Sequence, residues 1–148
     1  MRYNIRIHVL MTVIKAGTSL QLNFFFNLGC ESGWTEFERA CYKFAYNGLS
    51  WPSAKDACLS QDAHLTSVHS DDEQQFIESI ILSNSLPTWI GGKLETFDFQ
   101  WEDGSEFDYT NWDSSEPNYD GNCIIMSLTN YKWYDYDCTS LGFFVCKK

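Results

Sequence analysis

The sequence predicts one α+β domain held by disulfide bonds. Two helical patterns come first and a run of short strands follows them, which is the order typical of an α+β fold. The 148 residues are enough for one domain with its own hydrophobic core. Six cysteines are scattered along the chain without a Cys-x-x-Cys pair, so they indicate disulfides and argue against a zinc site. Their count alone does not choose the pairing.

Residues 1–28 are expected to lie outside the domain. Arg2 and Arg6 precede an apolar run over residues 9–14, an arrangement typical of a secretory signal peptide, but a lysine interrupts the run. The segment is therefore either a degenerate leader or a mis-assigned start. No window reaches the ~18 apolar residues of a membrane span. The domain itself is expected over residues 29–148.

Two helices are predicted in the first half of the domain. Ser50 can cap the first, and Pro52 suits its first turn, so this helix is expected to end at about Gln61. The second begins after Ser70, which forms a capping box with Glu73 in which each side chain accepts a hydrogen bond from the other residue's backbone N–H.

Short strands and one long loop are predicted in the second half. The segments with strand patterns are residues 88–90, 97–101, 123–128, 131–134 and 143–146. Between Asp103 and Asn122 no regular pattern is present, although Tyr109, Trp112 and Tyr119 are unusual residues for a disordered insertion. A loop of this length in a compact domain is usually functional, so we expect this one to carry a binding site.

Composition excludes several classes of function. The chain carries 20 acidic and 10 basic residues, and its net charge of -10 repels nucleic-acid phosphates and anionic membrane surfaces. His64 and His69 lie near serines in the sequence, but proximity in sequence is not a catalytic triad, which requires convergence in space. We therefore expect a binding module and not an enzyme.

A set of motifs, in a fixed order over residues 30–147, carries a resemblance to a known family. The motifs are Gly33-Trp34, Cys41-Tyr42-Lys43-Phe44, Trp51 to Cys58, Ala63 to Ser70, Trp89-Ile90-Gly91-Gly92, Trp101 to Ser105, Tyr109 to Trp112, Glu116-Pro117-Asn118, Trp133-Tyr134-Asp135 and Phe144-Val145-Cys146. With these motifs the chain resembles the C-type lectin-like domain family. The Trp-Ile-Gly element, together with the cysteine positions, is the most specific part of the match.

The resemblance implies a fold and a disulfide pairing. The fold has two helices packed on short antiparallel sheets, with a long ligand-binding loop and three disulfides. The pairs implied by the family are Cys30 with Cys41, Cys58 with Cys146, and Cys123 with Cys138.

The resemblance also implies a calcium ion in the long loop that bonds directly to sugar hydroxyls. Calcium prefers carboxylate and amide oxygens, and its flexible shell can give two positions to hydroxyls. By this resemblance Glu116, Asn118 and Asp135 are metal ligands, with Pro117 in the cis form. Asp120, the only carboxylate near the place of a further family ligand, is a candidate for the fourth. In the family, Glu-Pro-Asn goes with mannose-type sugars.

Two departures from the family pattern weaken the expected calcium site. Tyr134 stands where the family has an asparagine ligand, and Gly121 stands where it has a glutamate. Since calcium affinity depends on the number and charge of the ligands, we expect a weak site. Tyr119 and Tyr134 could form an aromatic platform for a sugar, an anchor for a protein, or loop packing.

We therefore expect a secreted, extracellular carbohydrate-binding lectin that is calcium-assisted and mannose-type. Its carbohydrate-binding residues would be Glu116, Asn118, Tyr119, Tyr134 and Asp135, and its partners glycans or glycoproteins. The alternative is a calcium-independent protein-binding module of the same fold. Glu116 and Asn118 favour the sugar, whereas the two departures favour the protein.

Overall fold

The computed structural model describes residues 29–81 and 86–148, so the leader expected at residues 1–28 lies outside the described residues. Within the described ranges no helix is both long and apolar enough to cross a membrane. The elements in chain order are β1 Thr35–Phe37, β2 Ala40–Leu49, α1 Trp51–Leu59, β3 His64–Leu65, α2 Asp71–Ile80, β4 Thr88–Glu95, β5 Asp98–Trp101, β6 Cys123–Met126, β7 Trp133–Tyr136 and β8 Gly142–Lys147.

Both predicted helices are present, and their caps match the prediction only in part. The α1 helix has the proline in its first turn, but the Ser50 hydroxyl donates to the Ser53 hydroxyl at 3.0 Å and makes no cap. In α2 the Ser70 hydroxyl accepts from the Glu73 N–H at 3.1 Å, as predicted. The Glu73 carboxylate instead accepts from the backbone N–H of His69 at 2.8 Å, so only half of the capping box forms.

The strands form one mixed sheet with the C-terminal strand at its centre. Its order is β1-β2-β8-β4-β6-β7, with β3 paired to β8 and β5 paired to β4. All pairings are antiparallel except the one between β4 and β8. The strand patterns of the sequence did not indicate β1, β2 or β3. The prediction for residues 131–134 was two residues early, because Tyr131 adopts a left-handed backbone with φ 54° and the strand begins after it.

Two clusters of buried side chains pack against this sheet. One surrounds Trp133 and includes Ile77 and Trp101, and the other surrounds Trp89 and includes Trp51. The indole N–H of Trp51 donates to the carbonyl of Ile90 at 2.9 Å, so burial of this ring leaves no polar group unpaired.

The three disulfides join the pairs implied by the family resemblance, which confirms that prediction. Cys58–Cys146 lies in the cluster around Trp89 and links α1 to β8. Cys123–Cys138 closes a 15-residue separation beside the long loop, and Cys30–Cys41 fixes the segment before β2. A cross-link over 88 residues removes much of the freedom of the unfolded chain, so Cys58–Cys146 is expected to stabilise the fold most.

The Glu73 carboxylate joins α2 to two strands of the sheet. Its side chain is only 6% exposed, and it accepts from the Tyr42 hydroxyl and from Lys147 Nζ, each at 2.6 Å. Burial of the phenol, together with the Glu73 carboxylate beside it, raises the pKa of Tyr42 far above its ordinary value. The first half of the domain is thereby attached to its last strand.

Replacing Glu73 with alanine should destabilise the whole domain. The substitution leaves the Lys147 ammonium and the Tyr42 hydroxyl without their shared acceptor, and loss of one partner of a buried pair costs about 3–5 kcal/mol. Urea unfolding followed by tryptophan fluorescence measures this change. Glu36→Ala, at an exposed position of β1, is the control and should stay within about 0.5 kcal/mol. Equal stability of the two variants would contradict the role given to Glu73.

Candidate functional site

The long loop, residues 103–122, is held to the sheet through Trp133. The Trp133 N–H donates to the carbonyl of Asn111 at 2.9 Å, and the Trp133 carbonyl accepts from Asp113 at 3.0 Å. The rings of Tyr109 and Trp112 each pack edge-on to the Trp133 indole, with 5.8 Å between ring centroids. The loop therefore has a fixed conformation although it has almost no regular secondary structure.

Glu116 and Asn118 lie together at the exposed edge of this loop. The bond between Glu116 and Pro117 is cis, as the resemblance predicted. Asn118 Nδ2 donates to Glu116 Oε1 at 3.1 Å, which places a carboxylate acceptor directly beside an amide donor. The Asn118 side-chain oxygen accepts from the backbone N–H of Asp120 at 2.8 Å and is held in place by it.

Asp135 supports these two residues from strand β7. Its side chain is buried, and Oδ1 accepts from the backbone N–H groups of Asn118 at 2.8 Å and Tyr119 at 3.3 Å. Oδ2 accepts from the backbone N–H of Gly121 at 2.8 Å. Three amides of the loop thus converge on one carboxylate, which fixes the loop and partly offsets the cost of burying the charge.

The carboxylates of Glu116 and Asp135 are neighbours. Partial burial raises the pKa of Glu116, and so does its side-chain contact with Asp135. Two adjacent carboxylates repel each other, and either a proton or a cation between them relieves that repulsion.

The other predicted site residues are placed differently. Asp120 is exposed, and within the described parts of the chain its carboxylate makes no hydrogen bond. The Tyr134 side chain lies beside the Asp113 carboxylate, and the phenol hydroxyl lowers the pKa of Asp113. Tyr119 is 62% exposed and its ring lies near Phe99, with 6.3 Å between the centroids. The structure therefore does not bring Tyr119 and Tyr134 together as one platform.

Gly121 has a role that the sequence did not reveal. A Cβ atom at this position would lie 2.3 Å from backbone atoms of Tyr136, so no side chain can be accommodated without a backbone shift. That close approach lets the Gly121 N–H reach Asp135. The sequence indicated only a missing glutamate here, although the short segment between Asn118 and Cys123 was a usable sign of a tight turn.

The donor chemistry of the site fits calcium, but as a weak site. Glu116, Asn118 and Asp135 supply oxygens of the right kind, and the adjacent carboxylates favour a cation. The Asp135 oxygens, however, already accept from three amides, which an ion would have to displace or share. Across residues 29–81 and 86–148 no cluster of three or more acidic, histidine or cysteine side chains is suited to a metal.

The histidines and serines that could suggest catalysis do not converge. The Ser67 hydroxyl donates to Asp103 at 2.6 Å, whereas His69 Nδ1 lies 2.7 Å from Asp108. His64 Nδ1 lies 3.2 Å from the buried Glu102. Each of these two histidines is thus paired with a different acid.

Comparison with known proteins places this geometry in a family. The model of the lectin C-type domain matches residues 47–148, which is more than half of the chain. The chain belongs to the C-type lectin domain family. The resemblance drawn from the motifs is thereby confirmed, and with it the fold of two helices, a sheet and three disulfides.

Individual C-type lectin relatives cover most of the chain. Ladderlectin of Oncorhynchus mykiss is 41% identical over an alignment of 119 positions that covers 74% of this chain and 62% of ladderlectin. The carbohydrate-recognition domain of cow CD23, solved in the presence of a GlcNAc2Man3 oligosaccharide, is 35% identical to this chain. Their superposition has a TM-score of 0.73 and covers 81% of this chain and 95% of the CD23 domain. A calcium-independent type II antifreeze protein is 29% identical to this chain. Their superposition has a TM-score of 0.76 and covers 82% of this chain and 95% of the antifreeze protein.

In this C-type lectin domain, Gly121→Ala should destabilise the loop end of the sheet. The added methyl group collides with the Tyr136 backbone and draws the Gly121 N–H away from Asp135, and overpacking of this kind costs about 1–3 kcal/mol. Thermal unfolding of the purified variants tests this. Asn122→Ala, at the exposed neighbouring position, is the control and should change stability little. A stable Gly121→Ala variant would show that the turn tolerates a side chain.

Proposed function

We propose that this chain is an extracellular carbohydrate-binding lectin whose site is formed by Glu116, Asn118 and Asp135. The observation that carries the proposal is the contact of 3.1 Å between the Glu116 carboxylate and the Asn118 amide at the exposed edge of the loop. A sugar hydroxyl both donates and accepts, so neighbouring hydroxyls are matched by an acceptor and a donor held side by side. The oligosaccharide present with the CD23 domain supports the same class of ligand.

The backbone of the site is held in place by hydrogen bonds within the chain. Asp135 binds the N–H groups on both sides of the turn, so Asn118 loses little further freedom when a sugar binds. Groups that are held in place before binding lose less conformational entropy when the ligand binds, so the net binding free energy is more favourable. In this chain Glu116 precedes Asn118, which is the order found in the family's mannose-type members. This order supports mannose, glucose or N-acetylglucosamine as the ligand over galactose.

We further propose that calcium contributes to binding, but weakly. Glu116, Asn118 and Asp135 would hold the ion, with Asp120 as a further carboxylate nearby in the loop. When bound, calcium supplies positive charge between the carboxylates and open coordination positions for hydroxyls. Extracellular modules work with calcium affinities of about 10⁻⁴–10⁻³ M, so a weak site is compatible with this location.

A calcium-independent protein-binding module is the second candidate. The observation that favours it is that Asp135 accepts hydrogen bonds from three backbone amides, which stabilise its negative charge as a cation would. The calcium-independent antifreeze protein among the structural neighbours supports the same reading of the site. The exposed Tyr119 would then serve as an anchor for a partner protein.

Secretion and the lack of catalysis belong to the same proposal. Three disulfides and the absence of free cysteines in the described residues support an oxidising compartment. The separate pairing of His64 and His69 supports a binding role without chemistry. The net charge of -10 argues against nucleic acid as a partner.

Retention on immobilised mannan tests the carbohydrate proposal. Glu116→Ala removes an acceptor for sugar and ion together, so we expect loss of binding by about tenfold or more, equivalent to one strong hydrogen-bonded contact. A chelator should weaken the wild-type protein as well. Glu106→Ala, which removes an exposed acid from the same loop, is the control and should bind like wild type.

The results separate the two candidate functions. Mannan binding that survives both Glu116→Ala and the chelator undiminished would contradict the proposed site. Failure to bind any glycan of a broad array, with or without calcium, would leave the protein-binding module as the better proposal.

Tyr134→Asn should strengthen calcium binding several-fold. The substitution restores an amide oxygen where the family has one and removes the phenol that lies beside Asp113. Isothermal titration with calcium measures the change. Tyr136→Asn, at an exposed position of the same strand, is the control. If affinity does not change, the amides bound to Asp135 and not Tyr134 limit the site.

A further inference from the structure

An aromatic hollow of about 360 Å³ lies beside the proposed sugar site. We define the hollow by the residues that line it: Asp98, Phe99, Phe107, Trp112, Pro117 and Tyr119. Its volume lies within the ~300–1,000 Å³ of ordinary small-molecule sites. We propose that it binds the second sugar ring of an oligosaccharide whose terminal residue is held by Glu116 and Asn118, an inference that rests on the proposed function.

The walls of the hollow are suited to the apolar face of a pyranose ring. Phe99 is buried and packs against Trp112, with 4.9 Å between the ring centroids. Tyr119 lies near Phe99 with an angle of 29° between the ring planes, and it remains 62% exposed. A buried ring therefore supports an accessible one, and the accessible ring can stack on C–H groups without first being uncovered.

The polar groups of the hollow favour a sugar over a purely apolar occupant. Within residues 29–81 and 86–148, neither the Asp98 carboxylate nor the Tyr119 hydroxyl makes a hydrogen bond to another residue. Sugar hydroxyls around a stacked ring can bond both groups. An alkyl chain would desolvate them without supplying a partner, at a free-energy cost.

The hollow is continuous with the proposed primary site along the chain. Pro117 and Tyr119 line it, whereas Glu116 and Asn118, which alternate with them, form the polar site. The Tyr119 N–H donates to Asp135 Oδ1, the atom that also accepts from the Asn118 N–H. One carboxylate thus fixes the relative position of both parts.

The test compares methyl α-mannoside with mannotriose by isothermal titration of the intact chain. We expect wild type to bind mannotriose about tenfold more tightly, the scale of one aromatic stacking contact. Tyr119→Ala should bring this ratio close to one, and Tyr119→Phe should keep most of it because the ring remains. Tyr46→Ala, which removes another exposed tyrosine, on β2, should leave the ratio unchanged. Near-ultraviolet circular dichroism verifies that each variant is folded.

Failure of this inference is distinguishable from failure of the proposed function. Monosaccharide binding that depends on Glu116, with no gain for mannotriose, overturns the second-ring site alone. Tighter binding of octyl α-mannoside than of methyl α-mannoside, without tighter binding of mannotriose, overturns it and indicates that the hollow binds an alkyl chain. A gain for mannotriose that survives Tyr119→Ala places the second ring elsewhere. Absence of any binding that depends on Glu116 overturns the proposed function and this inference together.

Discussion

The buried Glu73 carboxylate is the contact on which the arrangement of the domain depends. It belongs to the first turn of α2, yet its partners are Tyr42 on β2 and Lys147 on β8. A helix that only packed against the sheet could slide along it, whereas a carboxylate with fixed donors sets its position. Because β8 lies between β2 and β4, a shift of that strand would disturb the pairing on both sides. The Cys58–Cys146 bond holds the same strand covalently.

Asp135 does for the loop what Glu73 does for the helix. Each is an almost fully buried acid whose oxygens accept from several donors, which lie in three separate segments for Glu73 and in the long loop for Asp135. In both cases removal of the acid would leave several donors without an acceptor, so a substitution at either position is expected to lower the stability of the fold. The difference is location. Asp135 lies under Glu116 at the binding end, so its hydrogen bonds compete with any metal, whereas Glu73 has no such second use.

Much of this could be predicted from the sequence, and the failures have physical causes. Helix signals such as Ser70 with Glu73 are local, so they were readable. The long β2 strand could not be recognised, because its apolar and polar residues do not alternate regularly. Its pairing with β8 also depends on residues about a hundred positions away in the sequence. The motifs indicated Glu116, Asn118 and Asp135 correctly as neighbours. They could not show that Gly121 donates to Asp135, since a missing side chain leaves no pattern in the sequence. Phe99 was readable only as part of a strand, because the hollow beside it forms when distant segments meet.

The packing of the long loop around Trp133 means that the loop does not open as an independent unit. Trp133 is fully buried and belongs to the cluster that contains Ile77, so detachment of Trp112 and Tyr109 would expose the centre of the domain to water. Local opening is cheap only where few buried contacts are lost. The amide protons of this loop are therefore expected to exchange with solvent nearly as slowly as those of the sheet, and its irregular backbone is as cooperative a part of the fold as any strand.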